Sequence, residues 1–157
     1  ANCAVYIGLT ILWQQLGKLV ESLHYHQISL NIYKSLNPDS LAVAASLNNI
    51  GEVLRNQGKL QEALHNYNQA LEIEQQHAPN SLSVAGSFNN IGNVLADQGK
   101  LEDALDNYNK AVAIQEQHAP NSLTVAVSYN NIGTVLKDLH TVRKKEKSSW
   151  NFLIFGD

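Results

Sequence analysis

The sequence predicts an all-α fold in which antiparallel helix pairs repeat and stack side by side as an α-solenoid. Three recurrences predict it. Asn48-Asn49-Ile50-Gly51 returns as Asn89-Asn90-Ile91-Gly92 and as Asn130-Asn131-Ile132-Gly133. Gly17-Lys18-Leu19 returns as Gly58-Lys59-Leu60 and Gly99-Lys100-Leu101, and the three prolines are Pro38, Pro79 and Pro120. Every spacing is 41 residues, and Ser40–Asn80 matches Ser81–Asn121 at 27 of 41 positions. A fixed period of this length marks a stacked array, because one such unit cannot bury its own apolar stripe.

Each unit reads as two helices. Ser40 and Ser81 follow Pro-Asp and Pro-Asn pairs and suit helix starts, the proline having stopped the helix before. Leu47, Ile50, Gly51 and Leu54 then fall at i, i+3, i+4 and i+7, one face at 3.6 residues per turn. Gly58 suits a left-handed C-terminal turn. Leu60, Ala63, Leu64, Tyr67, Ala70, Leu71 and Ile73 carry the stripe of the second helix, and the small residues Gly51, Ala63 and Ala70 mark where helices approach closely. Helices of about 16–18 residues, or ~25 Å, follow.

The expected series opens with a partial first helix at 1–15 and its partner at 18–36. Pairs at 40–57 with 59–77 and at 81–98 with 100–118 follow, and a last first-helix runs from Ser122 to about Leu139. The units span about 1–39, 40–80, 81–121 and a partial 122–139. The earliest is the most degenerate: Tyr6, Leu9, Thr10 and Trp13 stand for Leu47, Ile50, Gly51 and Leu54, while Ser22 and His26 stand for Ala63 and Tyr67. After Leu139 the register fails, since His140-Thr141-Val142 replaces Gly-Lys-Leu. Residues 140–157 are a divergent basic and aromatic tail, either a cap folded back over the last helix or unrelated sequence.

Composition narrows the function. The 157 residues are 44% hydrophobic, enough for an ordered core. A net charge of −3 argues against general nucleic-acid binding. Four of the eleven basic residues cluster as Arg143, Lys144, Lys145 and Lys147, a run read as a solvated surface, with anionic lipid beside the Trp150–Phe155 aromatics as the other reading. The single cysteine, Cys3, forms no internal disulfide, and a cytoplasmic location is expected. No stretch reaches the ~18 apolar residues that span a bilayer. The chain has no methionine, not even at position 1, which suggests a piece of a longer reading frame.

The Asn-Asn-Ile-Gly block, Gln-Gly-Lys-Leu, Glu62-Ala63-Leu64 through Tyr67 to Ala70-Leu71, and the Pro-Asn-Ser-Leu junction resemble the tetratricopeptide repeat, and more closely its long-unit variety in kinesin light chains. The resemblance covers residues from about 4 to 138. It implies a right-handed superhelix whose first helices line a concave groove that grips a peptide or protein partner.

On geometry, the face of residues 40–57 opposite the core carries Ala45, Asn49, Glu52 and Asn56. One unit on it carries Gly86, Asn90, Asn93 and Asp97, and beyond that Val127, Asn131, Thr134 and Asp138. The expected partner-binding residues are therefore Asn49, Glu52, Asn56, Asn90, Asn93, Asp97, Asn131, Thr134 and Asp138. Asn49, Asn90 and Asn131 make a ladder of amides, and an amide can pair with any peptide backbone. Glu52, Asp97 and Asp138 favour basic groups. The Asn-Asn pairs can equally be structural, and because the two members point about 100° apart, one can serve each role. Some arrays of the family hold a C-terminal carboxylate with cations on this face, and none stands at Ala45, Asn49, Gly86, Asn90, Val127 or Asn131.

No enzyme is expected. His77 and His118 occupy one repeat position and suit a helix C-terminus; His24 and His26 point to roughly opposite faces and cannot chelate one ion. Gly92 to Gly99-Lys100 is too widely spaced for a phosphate loop. Repetition of nearly every polar residue favours a scaffold over a singular catalytic centre. No cofactor is expected, and the other reading is an architectural or self-association segment of a larger signalling protein, with stacking faces at both ends for end-to-end contact.

Overall fold

The computed structural model describes residues 2–155, with side chains over 17–147 and at Ser149. Six helices follow one another: α1 (Asn2–Leu36), α2 (Leu41–Asn56), α3 (Leu60–His77), α4 (Leu82–Asp97), α5 (Leu101–His118) and α6 (Leu123–Phe155). No strand occurs among the described residues. The chain divides into two compact units, 1–79 and 80–157.

In the first unit α2 packs against α1 and α3. Val43, Ala44, Leu47, Ile50, Val53 and Leu54 of α2 are buried, as are Ala63, Tyr67 and Ala70 of α3 and Leu30 of α1. In the second unit α5 packs against α4 and α6. Val84, Ala85, Ile91, Val94 and Leu95 close on Ala104, Tyr108, Ala111 and Val112, with Val125, Val135 and Leu139 from α6.

Each complete pair is clasped by a glycine and a tyrosine ring. A Cβ added at Gly51 would stand 2.8 Å from Tyr67 Cε1, and one at Gly92 would stand 2.7 Å from Tyr108 Cε1. Only a residue without a side chain lets the ring lie flat on the facing helix. The pair then turns at a second glycine: Gly58 and Gly99 both hold φ +75°, in the left-handed region. Gly58 N–H donates to Arg55 O and Lys59 N–H donates to Leu54 O, the paired bonds of a Schellman end, and Gly99 and Lys100 repeat them on Ala96 and Leu95. At the opposite ends, the Ser81 and Ser122 hydroxyls accept from the Val84 and Val125 N–H groups at 3.4 Å. Ser40, expected to cap α2, makes no side-chain bond of that kind.

The two ends of the chain differ from the sequence expectation. The repeat register places two helices at 1–15 and 18–36, yet α1 runs unbroken through Gly17. Gly17 permits a left-handed turn but does not compel one; the clasp that would hold the hairpin closed is missing, because Thr10 stands where Gly51 and Gly92 must lack a side chain and His26 stands for the tyrosine. The side chains of Cys3, Tyr6, Leu9, Thr10 and Trp13 lie outside the described residues. At the other end α6 does not stop near Leu139 and the tail does not fold back; it continues as helix to Phe155. With His140 in place of a turn glycine, nothing ends the helix. The side chains of Trp150 through Phe155 lie outside the described residues.

The candidate binding groove

In the second unit α4 and α6 wall a cavity of about 410 Å³, with Gln115 of α5 at its base. Leu82, Gly86, Asn89, Asn90 and Asn93 contribute from α4, and Leu123, Thr124, Val127 and Asn131 from α6. The helix period explains the set: residues 82, 86, 90 and 93 lie along one stripe, as do 123, 127 and 131.

Beneath the opening sits a polar knot that joins all three helices. The Ser128 hydroxyl, fully buried, accepts from Asn89 Nδ2 at 2.8 Å and donates to Gln115 Oε1 at 2.9 Å. Burial in a low-dielectric interior makes these bonds costly to lose. In the first unit the matching asparagine behaves the same way: Asn48 Nδ2 donates to the buried carboxylate of Glu74, Oε1, at 2.9 Å. The first asparagine of each of these pairs is therefore structural.

The second asparagines stand apart from the knot. Asn90 and Asn131 are half-buried and both line the cavity. Asn131 Nδ2 reaches Asn93 Oδ1 only at 3.5 Å, a weak contact. Asn93, counted among the expected binding residues, is partly committed, because its Oδ1 accepts from the Tyr108 hydroxyl at 2.8 Å. Asp97, Thr134 and Asp138 are exposed on the same helices beyond the cavity lining. Thr134 turns its hydroxyl back to Asn130 O at 3.0 Å. Asn49, Glu52 and Asn56 are exposed on α2 of the first unit.

The Tyr67 hydroxyl is pushed from the usual 10.0 up to about 12, by burial first and then by the Glu52 carboxylate, with Arg55 pulling it back. A hydrogen bond from the Tyr129 hydroxyl to Glu116 Oε1 at 2.6 Å, ahead of burial and the same carboxylate's charge, raises the Tyr129 phenol and ties α6 to α5.

The sequence pattern did not single out the apolar rim. Leu82 and Leu123 are exposed apolar residues at the mouth of the cavity, and Leu41 holds the same exposed position in the first unit. An apolar residue at one repeat position, just after the capping serine and off the core stripe, was the signal available in sequence. Arg143 lies 3.6 Å from Glu102 and, with Lys144, Lys145 and Lys147, is exposed on α6. His77 Nδ1 meets Ile73 O at 3.0 Å within the last turn of its own helix, whereas His118 Nε2 bonds Asn80 O and ties the end of α5 to the segment before α4. Among the described residues no group of three or more His, Cys, Asp or Glu is placed to hold a metal ion.

The family follows from these repeats. A model of the tetratricopeptide repeat matches residues 5–76 and 83–140. The chain belongs to the tetratricopeptide-repeat family. No curated protein matches the sequence. Among solved structures, BtubC (BKLC) from P. vanneervenii superimposes with a TM-score of 0.73 at 23% identity, over 88% of this chain and 57% of that one. A putative kinesin light chain of Podosopora anserina with nearly identical repeats gives 0.71 at 18% identity, over 87% and 66%. A second crystal structure of that kinesin light chain gives 0.71 at 17%, over 94% and 74%. The tetratricopeptide-repeat chain thus shares its fold with kinesin-light-chain repeats and spans 57% and 66% of the first two. Arrays of this family generally mediate protein–protein interaction and are typically not enzymes. No helix among the described residues is long and apolar enough to cross a membrane.

Proposed function

We propose that the chain is a protein-binding scaffold whose groove in the second unit takes an extended segment of a protein partner. The carrying observation is the pairing, at one cavity, of the Asn90 and Asn131 amides with the exposed apolar side chains of Leu82, Leu123 and Val127. An apolar partner side chain would enter between the leucines and the valine, while the amides exchange hydrogen bonds with its backbone. Asp97 and Asp138, further along the same helices, would favour a basic residue beside it. Asn93 would contribute its amide nitrogen, its oxygen being held by Tyr108. The same role is proposed for Asn49, Glu52 and Asn56 in the first unit. A reducing, cytoplasmic setting suits a chain with one cysteine.

The test begins with a partner identified by pull-down and mass spectrometry. Calorimetry with Asn90→Ala should then show affinity weakened by about tenfold, the effect of one lost hydrogen-bonding group, with circular dichroism unchanged. Equal affinity in an intact fold would remove the groove reading.

A further inference from the structure

We propose that this chain associates head to tail with a second copy of itself, residues 18–36 of α1 in one copy docking on residues 122–139 of α6 in the next. Two helix faces are uncovered among the described residues, one in each unit, and each is of the type that covers the other.

On α2 the face that receives its following helix is closed: Leu47 is 2% exposed, Leu54 is 4%, and Gly51 carries the Tyr67 ring. The α6 residues in the same repeat register, Tyr129 and Leu136, are each 50% exposed. Gly133 has no atom within 4 Å of where a Cβ would stand, whereas at Gly92 the Tyr108 ring fills that place. The helix α6 therefore holds the socket without the ring.

The helix α1 shows the reverse. Ser22, His26, Ser29 and Tyr33 occupy the repeat positions of Ala63, Tyr67, Ala70 and Glu74. The latter four are all buried, at most 3% exposed. The serines and His26 are only half-buried, and Tyr33 is 40% exposed with Ile32 at 54%. Residues 2–16 continue α1 instead of turning back over this face, and Thr10 denies it a glycine in any case. Setting the His26 imidazole on Gly133 rebuilds the Gly51–Tyr67 clasp between copies, with a ring smaller than the phenol the socket accepts elsewhere. The same contact brings Tyr33 and Ile32 against the apolar surface of α6. Because the two faces differ, the contact is heterologous and propagates unless it closes into a ring.

Sedimentation velocity on the chain, from micromolar to hundreds of micromolar, should show mass rising with concentration. Gly133→Trp plugs the socket where the monomer has open space, so circular dichroism should be unchanged while association weakens by about tenfold or more. Tyr33→Glu should do the same from the other face, and Ile32→Lys serves in its place if Tyr33→Glu loses helix. The decisive arm mixes Gly133→Trp with Tyr33→Glu: each retains one sound face, so the mixture should form a one-to-one heterodimer that grows no further. A wild-type chain monomeric throughout, variants that associate like wild type, or blocked variants that fail to pair when mixed would each overturn the proposal.

Discussion

Replacing Gly92 with alanine sets a methyl group 2.7 Å from Tyr108 Cε1, 2.8 Å from Cδ1 and 3.1 Å from Cζ. The ring cannot swing clear, since it is 2% exposed and its hydroxyl is held by Asn93 Oδ1. Overpacking of this kind costs about 1–3 kcal/mol. Against it, alanine is about 0.8–1.0 kcal/mol better than glycine within a helix. Gly133→Ala receives the same helix benefit with no ring in the way, so the propensity contributions cancel between the two variants. Their stabilities should differ by the overpacking alone, about 1–3 kcal/mol, with Gly133→Ala at or above wild type. At about 2–4 °C per kcal/mol for a chain of this size, the melting temperatures separate by roughly 2–12 °C. Thermal and urea unfolding followed by circular dichroism at low protein concentration measures both. In a Tyr108→Val background the Gly92→Ala penalty should vanish and leave the helix benefit. Equal stabilities of the two alanine variants, or a penalty that survives removal of the ring, would refute the clasp.

Asn89→Ala should cost about 1–3 kcal/mol in urea unfolding, since it strands buried polar groups around Ser128, whereas the exposed Asn130→Ala should stay within about 0.5 kcal/mol of wild type. Tyr67 contributes a stability that is complete below pH 10 and lost as pH rises toward 12, because its phenol is neutral for longer in the fold than in the unfolded chain. The loss amounts to about 2–3 kcal/mol at 1.36 kcal/mol per pH unit; denaturation across that window should show a shallower decline for Tyr67→Phe than for wild type. Gly99→Ala, at φ +75°, should lower stability by about 1–2 kcal/mol through left-handed strain, measurable by the same unfolding curves.

The period of 41 made most of the fold legible. Helix bounds at α2 to α5, the turn glycines Gly58 and Gly99, and Gly51 as a point of close helix approach follow from apolar spacing, the freedom of glycine, and proline as a stop, whereas the Tyr67 ring as the group that Gly51 meets does not. The candidate site was legible as a face and not as a set of free groups. Asn48 and Asn49 are adjacent and chemically identical, so sequence could say that they point apart but not which one meets a neighbour. Asn93 reads as a groove residue, and its oxygen proves to be held by Tyr108. Leu82 and Leu123 were marked in sequence only by recurring with Leu41 off the core stripe, and an exposed leucine is ordinary until two of them frame one cavity.

By itself the sequence determined that this chain is helical, where its inner helices begin and end, and that they pair, because each of those outcomes is set by residues within a turn or two of one another or copied at a fixed spacing. Only the tertiary structure decided the rest. Whether Gly17 turns or stays helical depends on a clasp with a residue on another segment, and Thr10 there removes it; whether α6 ends near Leu139 depends on a turn that no glycine supplies. Which asparagine of a pair is bonded across to a neighbour depends on the helix that lies against it, a fact of packing that no single helix contains.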